Sequence, residues 1–142
     1  MTINEIQQEI IDEFSIYDDW MDKYAYIIEQ GNQLALLDEK YKTPENIIQG
    51  CQSRVWLQAD YIDGKLYLQA ESDAVIVKGL LALVLRVFNE RTPDEILTTD
   101  LRFMKEIGLT EHLSPTRSNG LLSVIRQIRF YAMAYKAKEE KS

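Results

Sequence analysis

The sequence predicts a single α+β domain, a short antiparallel sheet containing a hairpin packed against several helices. Three observations carry that reading. Between Ser53 and Glu71 apolar residues recur at every second position, while on either side they recur at helical spacing. The pair Asp63-Gly64, the turn chemistry of a two-residue hairpin, cuts the alternating stretch in half. A chain of 142 residues, 46% hydrophobic and 27% charged, suits one globular unit long enough to bury a core. No repeat, low-complexity segment or linker divides it, so residues 1–142 read as one domain.

The elements follow in order. Ile3, Ile6, Ile10 and Phe14 keep helical spacing, with Thr2 available as a cap. From Tyr17, YDDWMDKYAYIIEQG reads as a second helix, acidic in its first turn to suit the helix dipole and ended by Gly31 in a left-handed cap. LALLDEKYKTPENIIQG reads as a connection, with Thr43-Pro44 marking a turn or a short helical start. Val55, Leu57 and Ala59 on the first strand and Leu66, Leu68 and Ala70 on the second share the inner face. Ser72-Asp73 opens a helix that is apolar almost all round, as a central buried helix is. Thr92-Pro93-Asp94-Glu95 has the form of a capping box with proline at the first helical position. A short helix through Leu101–Ile107 stops at Gly108. A last helix runs from about Ser118, with Leu121, Leu122, Ile125, Ile128, Tyr131 and Ala132 inward and a frayed KAKEEKS end.

Composition narrows the function. A net charge of −7 argues against nucleic acid, whose phosphates require a basic face. The acids are spread through helices and turns, as on a solvated surface. The start has no basic region followed by an apolar run, so it is not read as a signal peptide. The longest apolar stretch, GLLALVLRVF, is about half of what spans a bilayer. The expected location is cytoplasmic, with no membrane partner. One cysteine and one histidine cannot assemble a structural zinc quartet or an iron–sulfur ligand set, so no metal is expected. Neither a Walker-type phosphate loop nor GxGxxG after a strand is present.

That leaves Cys51, in NIIQGCQSRVW. Cysteine is often a small buried hydrophobe. Here it lies between Gly50 and two polar residues, Gln52 and Ser53, at the mouth of a hairpin, and loops on a rigid scaffold are where function concentrates. Three readings stand open: a packing residue, a hydrolytic thiol paired with His112, or a thiol that carries a group covalently and then discharges it.

Four blocks, DWMDKYAYIIEQGNQL, NIIQGCQSRVW, ESDAVIVKGLLALVL and HLSPTRSNGLLSVIRQI, occur in the order and approximate spacing of the SufE family. The chain resembles that family from about Tyr17 to about Tyr135, most specifically in its G-C-Q-S-x-V-W and R-S-N-G-L segments. The resemblance implies a sulfur acceptor in iron–sulfur cluster assembly, with a fold similar to the SufE and IscU-type proteins. It implies that Cys51 accepts sulfur as a persulfide from a SufS-like cysteine desulfurase, stimulates that enzyme, and delivers the sulfur to a SufBCD-like scaffold complex. Pyridoxal phosphate belongs to the partner desulfurase, so this chain is expected to hold no cofactor. It then acts as a sulfur-transfer accessory protein, with a homodimer possible, rather than as an independent enzyme. The competing class is a stand-alone thiol enzyme, a small cysteine hydrolase or thiol peroxidase using Cys51.

The matching blocks also contain Asp73 and Arg117, which the resemblance makes neighbours of the Cys51 loop. Arg117 would hold the loop or stabilise negative charge on sulfur. Without the resemblance, Asp73 reads as a first-turn helix residue and Arg117 as a surface charge. Gln52 and Ser53 are expected to shape the loop through hydrogen bonds. A labile sulfur needs shelter beside apolar surface, which the strand with Val55 and Leu57 could provide, and a loop able to swing outward at a partner.

Overall fold

The computed structural model describes residues 1–51 and 53–140. Helix α1 (Ile3–Phe14) opens on a complete capping box, Thr2 with Glu5. It buries Ile3, Ile10 and Phe14, the stripe its spacing predicts. Helix α2 (Trp20–Asn32) starts on the Asp19 side chain, which accepts the Asp22 N–H at 2.9 Å. Two 3-10 turns, Glu39–Tyr41 and Pro44–Asn46, make up the connection that follows. Strands β1 (Val55–Ile62) and β2 (Lys65–Ser72) pair antiparallel, Val55 opposite Ser72 and Ile62 opposite Lys65. Asp63 and Gly64 both take positive φ, 52° and 82°, as a type I′ turn requires. The remaining helices are α3 (Val75–Phe88), α4 (Pro93–Thr98), α5 (Phe103–Glu106), α6 (Leu109–His112) and α7 (Pro115–Glu140).

The fold is the α+β domain expected, its sheet being the hairpin alone with isolated bridges at Ile47–Trp56 and Leu66–Arg91. The inner face, Val55, Leu57, Ala59, Leu66, Leu68 and Ala70, is buried in one hydrophobic cluster with α3, α7 and the N-terminal helices. Helix α3 is the centre: from Gly79 to Phe88 every residue but Arg86 is buried. Arg86 is satisfied where it stands, its guanidinium donating to both carboxylate oxygens of Glu13 at 2.8 and 2.6 Å, to Glu9 at 3.1 Å and to Gln30 at 3.1 Å. That fork ties α1, α2 and α3 together. The buried Gln7 does the same for α5: its carbonyl oxygen accepts the Arg102 and Phe103 N–H groups at 2.9 and 3.1 Å. No helix among the described residues is long and apolar enough to cross a membrane.

Five expectations are corrected. Gly31 does not end α2 in a left-handed cap; it lies inside the helix, where α2 crosses α3. A Cβ on Gly31 would stand 2.7 Å from Gly79 N, and one on Gly79 only 2.1 Å from Ile27 O. The two glycines exist for that contact. Ser72 ends β2 rather than opening α3, which begins at Val75 after Ala74. Helix α7 begins three residues early, at Pro115: Ser114 caps it, its Oγ accepting the Arg117 N–H at 3.3 Å. Leu122, expected inside, is 44% exposed; Val124 takes the inward place. The end of α7 stays helical to Glu140, steadied where Tyr135 stacks on Tyr61 (centroids 4.9 Å apart) and Lys136 meets Asp94 at 2.6 Å.

One acid of β2 makes the fold pH-dependent. The buried Glu71 pairs with Lys42 at 2.5 Å and accepts the Leu37 N–H at 3.1 Å, pinning the α2–β1 connection. The Lys42 hydrogen bond, foremost, holds the Glu71 carboxyl below the usual range. A depressed carboxyl contributes stability that is present above its unfolded value and lost as pH falls through the folded one. Glu71→Gln is therefore expected to be less stable than the native chain at neutral pH, with the gap closing below roughly pH 4. Urea denaturation at several pH values measures it; a gap that does not narrow in acid would refute this assignment.

Candidate functional site

The hairpin, the start of α3 and the first turns of α7 meet around a cavity of about 600 Å³. Its walls are mostly aliphatic: Val55 from β1, Val75, Ile76, Val77, Leu80 and Leu81 from α3, Leu121 and Val124 from α7. Ala74, Cys51, Ser53, Ser114, Thr116, Arg117 and Gly120 complete the lining. Of the described lining residues only Cys51 and Arg117 can ionise.

Cys51 and Ser53 reach the cavity from a stretch of chain clipped at both ends. The Ile48 N–H donates to Val55 O at 2.9 Å, and Ile48 is buried as an anchor. At the far end the Asp73 carboxylate accepts the Arg54 N–H at 3.2 Å, while the Asp73 N–H donates to Arg54 O at 3.4 Å. Between these clips Gly50 takes φ +92°, and the chain turns Cys51 onto α7. The half-buried thiol donates to Gly120 O at 3.6 Å. Burial pushes the Cys51 thiol up from its ordinary value, so at neutral pH it is protonated.

The residues singled out in the sequence fall as follows. Cys51, Ser53 and Arg117 share the cavity. Asp73 is not in the lining and not in the first turn of α3, as the sequence suggested; it lies before the cap residue Ala74 and fastens the loop through Arg54. Gln52 lies outside the described residues. Arg117 is exposed, and among the described residues its guanidinium makes no hydrogen bond or ion pair. A free cation at an apolar mouth can meet an anion from outside. His112 stands apart from the lining, stacked on Trp20 with ring centroids 3.9 Å apart, its carbonyl accepting the Tyr24 hydroxyl at 2.6 Å.

Sequence reasoning missed Gly120, Thr116 and the first turn of α3 as lining residues. The Ser114-Pro115 pair was the available signal for the first two, since it starts α7 early enough to bring them opposite Cys51. Among the described residues no group of three His, Cys, Asp or Glu side chains could hold a metal ion.

This arrangement shelters one weakly acidic sulfur beside greasy walls, with one uncommitted positive charge at the rim. The family model described as "SufE: Fe-S metabolism associated domain" matches residues 8–132 of this chain. The solution structure of a hypothetical protein from Thermus thermophilus is similar in fold, with a TM-score of 0.74 at 18% identity. The match covers 91% of this chain and 94% of that one.

Proposed function

Because this chain belongs to the SufE family of Fe–S metabolism associated domains, we propose that it accepts sulfur as a persulfide on Cys51 from a SufS-like cysteine desulfurase and passes it to a SufBCD-like scaffold. The observation that carries the reading is the placement of the lone thiol against a largely aliphatic cavity whose lining, among the described residues, offers no base. A persulfide is readily lost to reductants and oxidants, and such walls keep both at a distance. The volume exceeds what one added sulfur needs.

The transfer is balanced without an external oxidant. Cys51, as thiolate, attacks the terminal sulfur of the donor's persulfide; a new S–S bond forms as the donor's own S–S bond breaks, and the donor leaves as thiolate. The proton of Cys51 passes to solvent or to that leaving thiolate. Delivery repeats the exchange with Cys51 as the leaving group. Pyridoxal phosphate stays with the desulfurase, and this chain needs no cofactor of its own. A Cys51–His112 hydrolase draws no support from the geometry, since the His112 ring is stacked on Trp20 and lies outside the cavity lining. The deciding experiment is intact mass after incubation with desulfurase and free cysteine. A chain heavier by one sulfur on Cys51 supports the carrier; an unchanged mass beside an active desulfurase refutes it.

Arg117 supplies a second test. Its guanidinium has no structural partner among the described residues, and it lines the same cavity as Cys51, so it can meet negative charge that develops there. Arg117→Ala is expected to slow sulfur transfer by about tenfold or more, the scale of one charge-assisted contact, with melting nearly unchanged. A large fall in melting temperature with normal transfer per folded molecule would make it a structural residue instead.

A further inference from the structure

The seat of Cys51 is built from what two residues lack. Gly120 lies in the interior of α7, where glycine costs about 1 kcal/mol relative to alanine. A side chain there would begin 3.4 Å from Cys51 Sγ and 3.8 Å from the Cys51 Cα and Cβ. A methyl group just touches the thiol; anything larger takes its place. From the other side, a Cβ on Gly50 would stand 2.8 Å from Ser123 Oγ, one turn further along the same helix. Making room there means turning the Ser123 hydroxyl away from Asn119 O, to which it donates at 3.0 Å. The loop therefore comes down on α7 at two bare points.

That approach aims Sγ at the Gly120 carbonyl oxygen. A carbonyl oxygen accepts a hydrogen bond from a thiol and repels a thiolate, and burial acts in the same direction. Of the described groups lining the cavity from the hairpin, α3 and α7, Arg117 alone carries a charge that opposes this.

We propose that Gly50 and Gly120 are positioning residues, a side-chain-free seat on α7 that holds the Cys51 thiol against the Gly120 carbonyl and lowers its reactivity in the free chain. This rests on Cys51 being the sulfur acceptor.

The test uses the free chain and iodoacetamide, with Cys51 alkylation rates measured across pH for the native, Gly120→Val and Gly50→Ala proteins. Both variants are expected to react at least about 10-fold faster at neutral pH, with the midpoint of the pH profile moved down toward the ordinary thiol value of about 8.5. Gly120→Ala, whose methyl fits, stays within about 3-fold of native. Rates and midpoints equal to native in folded Gly120→Val and Gly50→Ala proteins overturn the seat. If Gly120→Val does not fold, Gly50→Ala decides alone, its substitution lying on an exposed loop. A faster reaction with a lowered midpoint then supports the seat, and an unchanged profile overturns it. No desulfurase takes part, so failure here is separate from failure of the sulfur-acceptor reading, which intact mass decides.

Discussion

Cys51→Ser is expected to abolish sulfur acceptance and desulfurase stimulation while leaving the melting temperature within about 2 °C of native. Serine is nearly the size of cysteine, and its hydroxyl can take up the hydrogen bond to Gly120 O that the thiol makes. What it cannot do is form a persulfide. Cys51 is the sole thiol in the chain, so no other side chain can substitute for it. The loss is therefore total rather than graded, in contrast to Arg117→Ala. Intact mass and desulfurase turnover measure it together. A folded serine variant that still gains a sulfur atom, or still stimulates the desulfurase normally, would end the carrier reading.

The largest expected loss of stability lies elsewhere, at the α2–α3 crossing. Gly79→Ala would drive its Cβ to 2.1 Å from Ile27 O, 2.5 Å from Ile27 Cγ2 and 2.7 Å from Ile27 C. Two of those three atoms are backbone, so no rotamer relieves the contact and the helices must separate. Overpacking ordinarily costs about 1–3 kcal/mol, and a clash with rigid backbone belongs at or above the top of that range. A fall in melting temperature of about 10 °C or more follows for a domain of this size. Gly120 is the control, another helix-interior glycine where an added Cβ meets only ordinary contacts. Alanine there is expected to raise the melting temperature slightly. A Gly79→Ala protein that melts with the native chain would show that the crossing has slack the geometry does not suggest.

Gly79 and its neighbour across the crossing, Gly31, also mark the limit of what a sequence discloses. Where an element declares itself by its own period, sequence and structure agree: the two-residue alternation around Asp63-Gly64 is β1 and β2, and the apolar run after Ala74 is the central helix. Capping residues are legible for the same reason, because Thr2–Glu5 and Thr92–Glu95 act within one turn. Gly31 misleads because a glycine near a helix end looks like a cap unless one knows that Gly79 lies across from it. Leu122 misleads because it is apolar but adjoins the buried stripe, which Leu121, Val124, Ile125, Ile128 and Ala132 already fill. The cavity could not be read at all. Its walls come from three separate segments, and only packing brings Val75 and Thr116 to the same space as Cys51. The residues themselves singled out Cys51, resemblance to a family added Arg117, and the geometry supplied Gly120.

The half-buried Cys51 sets a limit of another kind, one of valence. A chain with two thiols can be joined end to end into linear oligomers or rings, whereas a chain with one can be joined only once. Each disulfide to a second copy would consume the thiol on both, so air oxidation ends at a capped pair and cannot polymerise. Reduction of one such disulfide returns two chains to use, so spent material is recovered with one reductant step per two molecules.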